Sequence, residues 1–462
     1  MASPPPPYSD ITGISRAAMK DNAQETLANY NGNARPGELV VDQATSIVYV
    51  GNALGDLTAV ATPGGATTWA LLSNKTGASG PTEIALGQNA GFDGQANAAI
   101  ALGQYAGQGG QGGAAISIGL NSGGNTTQGA YAVAIGSSAG FDAQGASAVA
   151  IGDTAGGNTQ GTQSVAVGKQ AGQTTQGAYS VAVGDSAGTT TQGIQSVAVG
   201  QRAGFSNQGP YAVAIGAYAG NSAQGERTVA VGYGAGITSQ GNSAIAIGNF
   251  AGNATQGTYA IAIGSNAGDQ GQGANTVAIG FGAGNAQGLQ SIAIGLQAGQ
   301  TAQGPNNIAI GSQAGSSNQI GSSVAIGFQA GYVDQDTQSV AIGIQAGYST
   351  QGLSAVAIGA ASGNLQGANA VAVGRQAGAN GQGDAAVAIG RQAGQTSQAN
   401  NSIILNATGS ALNQTTANTF TVKPVRAVAS VTFAAPTSGS VPAGFFPMYY
   451  NPTTGEIIVI TT

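Results

Sequence analysis

Along most of this chain, hydrophobic and polar positions recur on a beat of sixteen residues. In QSVAVGKQAGQTT (163–175) a polar pair precedes Val165, Ala166 and Val167; then come Gly168, two variable residues, Ala171-Gly172 and a short polar stretch. From residue 179 the phrase returns as YSVAVGDSAGTTT. The order large, small, large places both valines on one side of a strand and the alanine on the other. The glycine closing each phrase occurs at Gly87, Gly103, Gly119, Gly136, Gly152 and so on to Gly390, twenty times, with one interval of 17 and two of 15. A fixed period of this kind predicts stacked rungs.

Other columns are as regular. A second glycine stands four residues after the first, from Gly91 to Gly394, and a glutamine lies eight residues before the next rung's glycine position, as at Gln144, Gln160, Gln176, Gln287 and Gln398. All length variation falls between the second glycine and the glutamine, so that stretch is the loop that tolerates insertion. Two fixed glycines per rung and β-branched residues between them exclude a helix. The pattern predicts an all-β fold, a β-solenoid of about twenty 16-residue rungs whose strands pair in register. The glycines are expected where φ is positive or another backbone passes closely. The glutamines are expected to stack as an amide ladder along the axis, with a plain turn role for Gln160-Gly161 and Gln176-Gly177 as the alternative. The Val and Ile columns, Val165, Val167 and Ile151 among them, are expected to face inward. The alanine column (Ala134, Ala150, Ala166) would be a second face small enough for a neighbouring chain to approach. Twenty rungs at the strand spacing give an oligomeric rod about 95 Å long.

Composition narrows the chemistry. The 462 residues include 80 glycines, 6% charged and 5% aromatic residues, a single tryptophan (Trp69), and neither Cys nor His. Thiolate chemistry, disulfides and the commonest base and metal ligand are absent together. A formal charge of -6 without a basic stripe argues against nucleic acid as a partner. No run of 18 apolar residues occurs and MASPPPPYSDITG has no signal-peptide pattern, so no membrane insertion is expected. No catalytic residue, cofactor or metal site is assigned.

The phrase SVAIG or SVAVG, at Ser164 to Gly168, Ser196 to Gly200 and Ser339 to Gly343, resembles the head repeat of YadA-like trimeric adhesins, over residues 84 to 405. The resemblance implies a left-handed parallel β-roll wound as a homotrimer. The rungs depart from that repeat in their extra A-G and Q-G elements, and no secretory signal or C-terminal membrane barrel accompanies them. Residues 35–60, RPGELVVDQATSIVYVGNALGDLTAV, read as strand, turn, strand, with Leu39 and Val41, then Ile47 and Tyr49, in alternation. They resemble hairpin modules at the front of phage and large-virus tail-fibre proteins. Residues 402–426 and 447–458 resemble the fibre segment that precedes a C-terminal intramolecular chaperone, so a processed or truncated product is expected.

The domain reading is therefore a Pro-rich disordered leader and short helix at 1–34, a β-hairpin attachment module at 35–80, YadA-like rungs at 81–406, and a β-rich tip at 407–462. The helix spans DITGISRAAMKDNAQETLANY, with Ile14, Ala18, Ala23, Leu27 and Tyr30 on one side. The expected function is a structural homotrimeric virion fibre, a spacer and adhesin for host attachment, at the virion surface after assembly in the host cytoplasm. Its expected partners are a baseplate or capsid protein, through the N-terminal region, and a host surface glycan or protein. The alternatives are a glycan-cleaving tailspike and a bacterial trimeric surface adhesin.

Candidate residues follow from side chains the rungs do not require. Phe92, Phe141, Phe205, Tyr332 and Tyr348 all occupy the first loop position after the second glycine and are the candidates for receptor contact, against a role in shielding rung edges. Asp334 and Asp336 could form the carboxylate pair of a glycosidase, but no further polar residue is fixed around them by the repeat. Pro5, Pro6, Pro7 and Tyr8 form a polyproline string, read as part of the leader. Threonines at 174, 175, 190, 191 and 238 do not recur in every rung, as a flat ice-binding face would need.

Overall fold

The computed structural model describes residues 39–42, 47–51, 57–61, 83–425, 448–451 and 453–459. The expected leader and N-terminal helix lie outside these residues. The described residues are all-β, without a helix. They fall into two compact units, Met1–Thr159 and Gln160–Thr462.

In the first unit, strands Leu39–Asp42, Ile47–Gly51 and Leu57–Ala61 form an antiparallel sheet in sequence order. Leu39 pairs with Val50 and Asp42 with Ile47, and the third strand extends the expected hairpin. Five rung strands follow, Ile84–Leu86, Ile100–Leu102, Ile116–Ile118, Val133–Ile135 and Val149–Ile151. Each is parallel to the next and in register, as in Ile84↔Ile100 and Val133↔Val149.

The second unit repeats this geometry through fifteen rung strands, from Val165–Val167 to Val387–Ile389. Register follows the sequence columns: Val165 sits on Val181, Ala166 on Ala182, Val167 on Val183. Both units are thus β-solenoids. A second parallel ladder runs through the stretch ending in the glutamine, as between Thr175–Gln176 and Thr191–Gln192 or Thr301–Gln303 and Ser317–Gln319. In several rungs, of full length, one residue short or one residue long, this ladder narrows to a single bridge at the glutamine, as at Gln256↔Gln272, Gln287↔Gln303 and Gln111↔Gln128. The glutamine register is therefore kept whatever the length of the stretch before it.

Both glycine columns have the causes expected of them. Gly168 has φ of 128°, and a Cβ there would lie 2.5 Å from the carbonyl oxygen of Gly184 in the next rung. Gly172 has φ of 54°, and its Cβ would lie 2.8 Å from the Oε1 of Gln176. One column is crowded by backbone and the other by the interior amide. Two further turn positions per rung are left-handed without being glycine, for example Gln163 and Gln170, or Tyr179 and Ser186. Sequence reading passed over them because many residue types fill these columns, although Asn and Gln are frequent among them.

The facing of the rung strand is the reverse of the expectation. Ala134, Ala150, Ala166 and Ala182 are 0% exposed and the other central alanines are buried, whereas Val165 and Val167 are half-exposed and Ile151 is 37% exposed. Within one chain, alanine is the core and the β-branched residues are the surface. The reason is cross-section. A sixteen-residue turn carries a second alanine inward from its A-G pair, such as Ala171, together with a small residue before the strand, such as Ser164, and the glutamine. Once these four fill the interior, a valine at the central position would overpack it.

The interior glutamine ladder is present and does more than stack. Gln256 accepts from Gln240 Nε2 at 2.9 Å and donates its own Nε2 to Gln272 Oε1 at 2.9 Å and to the carbonyl of Ile245 at 2.9 Å. Each such amide ties the glutamine ladder across the rung to the preceding valine or isoleucine strand, so a buried polar side chain becomes a satisfied cross-brace. At Gln208 the Nε2 goes instead to the carbonyls of Val197 and Ala212. Ser117, standing where other rungs have alanine, donates its hydroxyl to Gln128 Oε1 at 2.9 Å.

The regular series ends where the core changes size. In Ile403–Asn406 the central position is Ile404, fully buried and clustered with Ala388, Ala393 and Leu412. Its strand pairs with Phe420–Lys423, which in turn pairs antiparallel with Glu456–Val459, the partner of Met448–Tyr450. Larger apolar residues and a change from parallel to antiparallel pairing close the stack, as a terminal repeat must.

Candidate functional site

With small residues and amides taken inside, the side chains that could meet another molecule stand on three parts of the rung surface. The first is the face made by the rung strands themselves. The two outward residues of each strand lie on the same columns of the next, so Ile215, Ile247, Ile358 and Ile389, between 37% and 43% exposed, belong to an unbroken β-branched stripe. It is apolar and uncharged, because in the second unit the two outward strand positions hold only Val or Ile, as in V-A-V, V-A-I and I-A-I.

The second part is the loop column that holds the five aromatic candidates. Tyr332 and Tyr348, one rung apart, stack at 5.2 Å with an interplanar angle of 13°. The structure does not bring the other three to them. Phe92, in the first unit, is 60% exposed, and Phe141, in the same unit, is half-buried. Phe205 lies under the guanidinium of Arg202, 5.3 Å from its centroid.

Sequence reading missed a third group. Arg202 also reaches Tyr218 at 6.0 Å, and Tyr218, Tyr233 and Phe250 follow one another edge to face at 6.1 and 5.2 Å. These residues alternate between the first and second positions after the rung glycine, so no single column displays them. Aligning whole rungs and asking which large residues fall one period apart would have revealed them.

Half-buried surface glutamines, with Gln345 exposed, form a further ladder on the second position after the rung glycine. Gln313 Nε2 donates to Gln297 Oε1 at 3.4 Å, Gln329 to Gln313 at 2.9 Å and Gln345 to Gln329 at 3.0 Å. Gln392 donates to Gln376 at 3.3 Å in the same sense. Between the two runs the column holds Ala361, and there the surface opens into a cavity of about 200 Å³ bounded by Gln345, Tyr348, Asn364, Gln376 and Asn380. No charged side chain lines it.

The carboxylates of Asp334 and Asp336 are both occupied in turns. Asp334 is exposed, at φ of 51°, and accepts from Asn318 Nδ2 at 3.0 Å; Asp336 accepts from the backbone N–H of Thr337 at 2.6 Å. Among the described residues no three of His, Cys, Asp or Glu gather in a way that could hold a metal ion. No helix among them is long and apolar enough to cross a membrane. Comparison with protein-family models, with curated proteins and with solved structures found no match for this chain.

Proposed function

We propose that the chain is a structural protein that self-associates along its β-branched stripe, three copies to a fibre, and that the fibre serves a virion as a spacer and adhesin for host attachment. The outward Val and Ile stripe carries this reading. An apolar face that recurs at every rung spacing is best covered by a surface of the same spacing, and a second copy of this chain supplies one. Burying those side chains between copies adds about 25 cal/mol per Å² of apolar area, which the alanine and glutamine interior of a single chain cannot provide. Three is the number the adhesin-like repeats imply, and the virion setting rests on the fibre-like segments at 35–60, 402–426 and 447–458.

Sparsely charged, closely braced rungs suit a spacer that holds binding groups away from a particle. The test is to label purified virions with an antibody raised against residues 165–390. Decoration of projecting fibres supports the reading, and intact particles that stay unlabelled while the chain is present only in disrupted ones overturn it.

A further inference from the structure

The break in the surface glutamine ladder at Ala361 has a direction. In the run below it every amide points its Nε2 toward lower residue numbers, so Gln345 spends its Nε2 on Gln329 and its Oε1 faces the gap. Above the gap, Gln376 accepts through Oε1 from Gln392, which turns its Nε2 back toward Ala361. An acceptor and a donor therefore face each other across one missing rung of the ladder, at two strand spacings, roughly 9.6 Å between ladder positions. One amide group fills that interval. Its N–H meets Gln345 and its C=O meets Gln376, along the same vectors that the absent glutamine would have used.

The walls limit what can carry that amide. Tyr348 presents an aromatic surface that is half-buried and held in place by its stack with Tyr332. The Oδ1 of Asn364 accepts from the backbone N–H and hydroxyl of Ser349 at 3.1 and 2.7 Å, which leaves its Nδ2 free to turn toward the cavity. Asn380 is exposed at the rim. The Ala361 methyl forms an apolar floor. An aromatic platform, uncharged amides and a methyl-sized floor beside a paired donor and acceptor match a neutral sugar that bears an acetamido group.

We propose that this cavity binds N-acetylated hexosamines, the acetamido group restoring the ladder over Ala361 and the pyranose ring lying on Tyr348. This deepens the attachment reading by naming a receptor chemistry, and it rests on that reading only for its biological use. The geometry belongs to one chain.

The test uses the full chain with N,N′-diacetylchitobiose, and cellobiose as the control that lacks acetamido groups, followed by saturation-transfer NMR and calorimetry. The acetylated disaccharide should bind at least tenfold more tightly. Ala361→Gln supplies the missing amide and should weaken that binding at least tenfold. It should fold normally, since Gln345 and Gln376 hold the same column with φ of 55° and 60°. Tyr348→Ala should weaken binding severalfold. Absence of binding, equal binding of the two disaccharides, or wild-type affinity in Ala361→Gln overturns the proposal. Each variant's native mass is measured alongside, so loss of the sugar site and loss of self-association are told apart.

Discussion

Ala246 and Ile247 are neighbours on one three-residue strand, yet the first is 0% exposed and the second 38%. The central column of the rung strand is uniform and the columns beside it are not. The central strand position is alanine at nearly every rung and serine at Ser117, while the flanking positions range over Val, Ile and Leu. A central position with room for little more than a methyl group tolerates almost no change, and a surface tolerates several. Constant small size down that column thus marks it as core, where hydrophobicity does not. The same comparison separates two kinds of stability: the interior holds each chain's rungs together, and the exterior stripe is the face that the proposed self-association would cover.

The largest expected effect falls where backbone meets backbone. Gly168→Val adds two methyl groups beyond a Cβ already 2.5 Å from the Gly184 carbonyl, at φ of 128°. It should cost ~4 kcal/mol or more, read as lost amide protection in the rungs around residues 165–185 by hydrogen exchange. Ala246→Leu should come next, since overpacking costs about 1–3 kcal/mol; its unfolding midpoint in denaturant should fall by the same amount at every protein concentration. Concentration-dependent destabilisation in that variant would mean that alanine is at the interface after all.

How far the sequence disclosed this molecule depends on the kind of question asked. Period, strand positions, register and both glycine roles were legible, because a one-residue slip would break every column at once. The glutamine ladder was legible as a ladder, but its bond to the strand carbonyl, as from Gln256 to Ile245, was not, since that contact spans the rung interior. Facing was misread because V-A-V alternation says which residues share a side and is silent on which side is inside. The decisive signal was the narrow choice of residues in the alanine column. Among the candidate residues, the column rule selected Tyr332 and Tyr348 but gave no sign that Ala361 opens a cavity beside them. That site arises from a residue that is missing from a series, and a list of prominent side chains cannot contain it.

Two smaller effects sharpen the contrast. Gln256→Met keeps the bulk of the interior side chain but leaves Gln272 Oε1 without its donor and Gln240 Nε2 with only the Val229 carbonyl; a loss of about 1–3 kcal/mol is expected for the buried partner left unsatisfied. A midpoint unchanged in denaturant would show that the ladder is ornamental to stability. Asp334→Asn alters only an exposed side chain of the strand Val333–Gln335, and its thermal midpoint should correspond to a change within ~0.5 kcal/mol.

The claim that the β-branched face joins copies of this chain is tested most directly by native mass in solution, for the wild type and for a chain carrying Ile215→Asp, Ile247→Asp and Ile358→Asp together. The account predicts a wild-type mass three times that of the 44.4 kDa chain. It predicts a single-chain mass for the triple variant, with the rung strands still protected from hydrogen exchange. A wild type that runs as one chain at all concentrations, or a triple variant that keeps the wild-type mass, would contradict it.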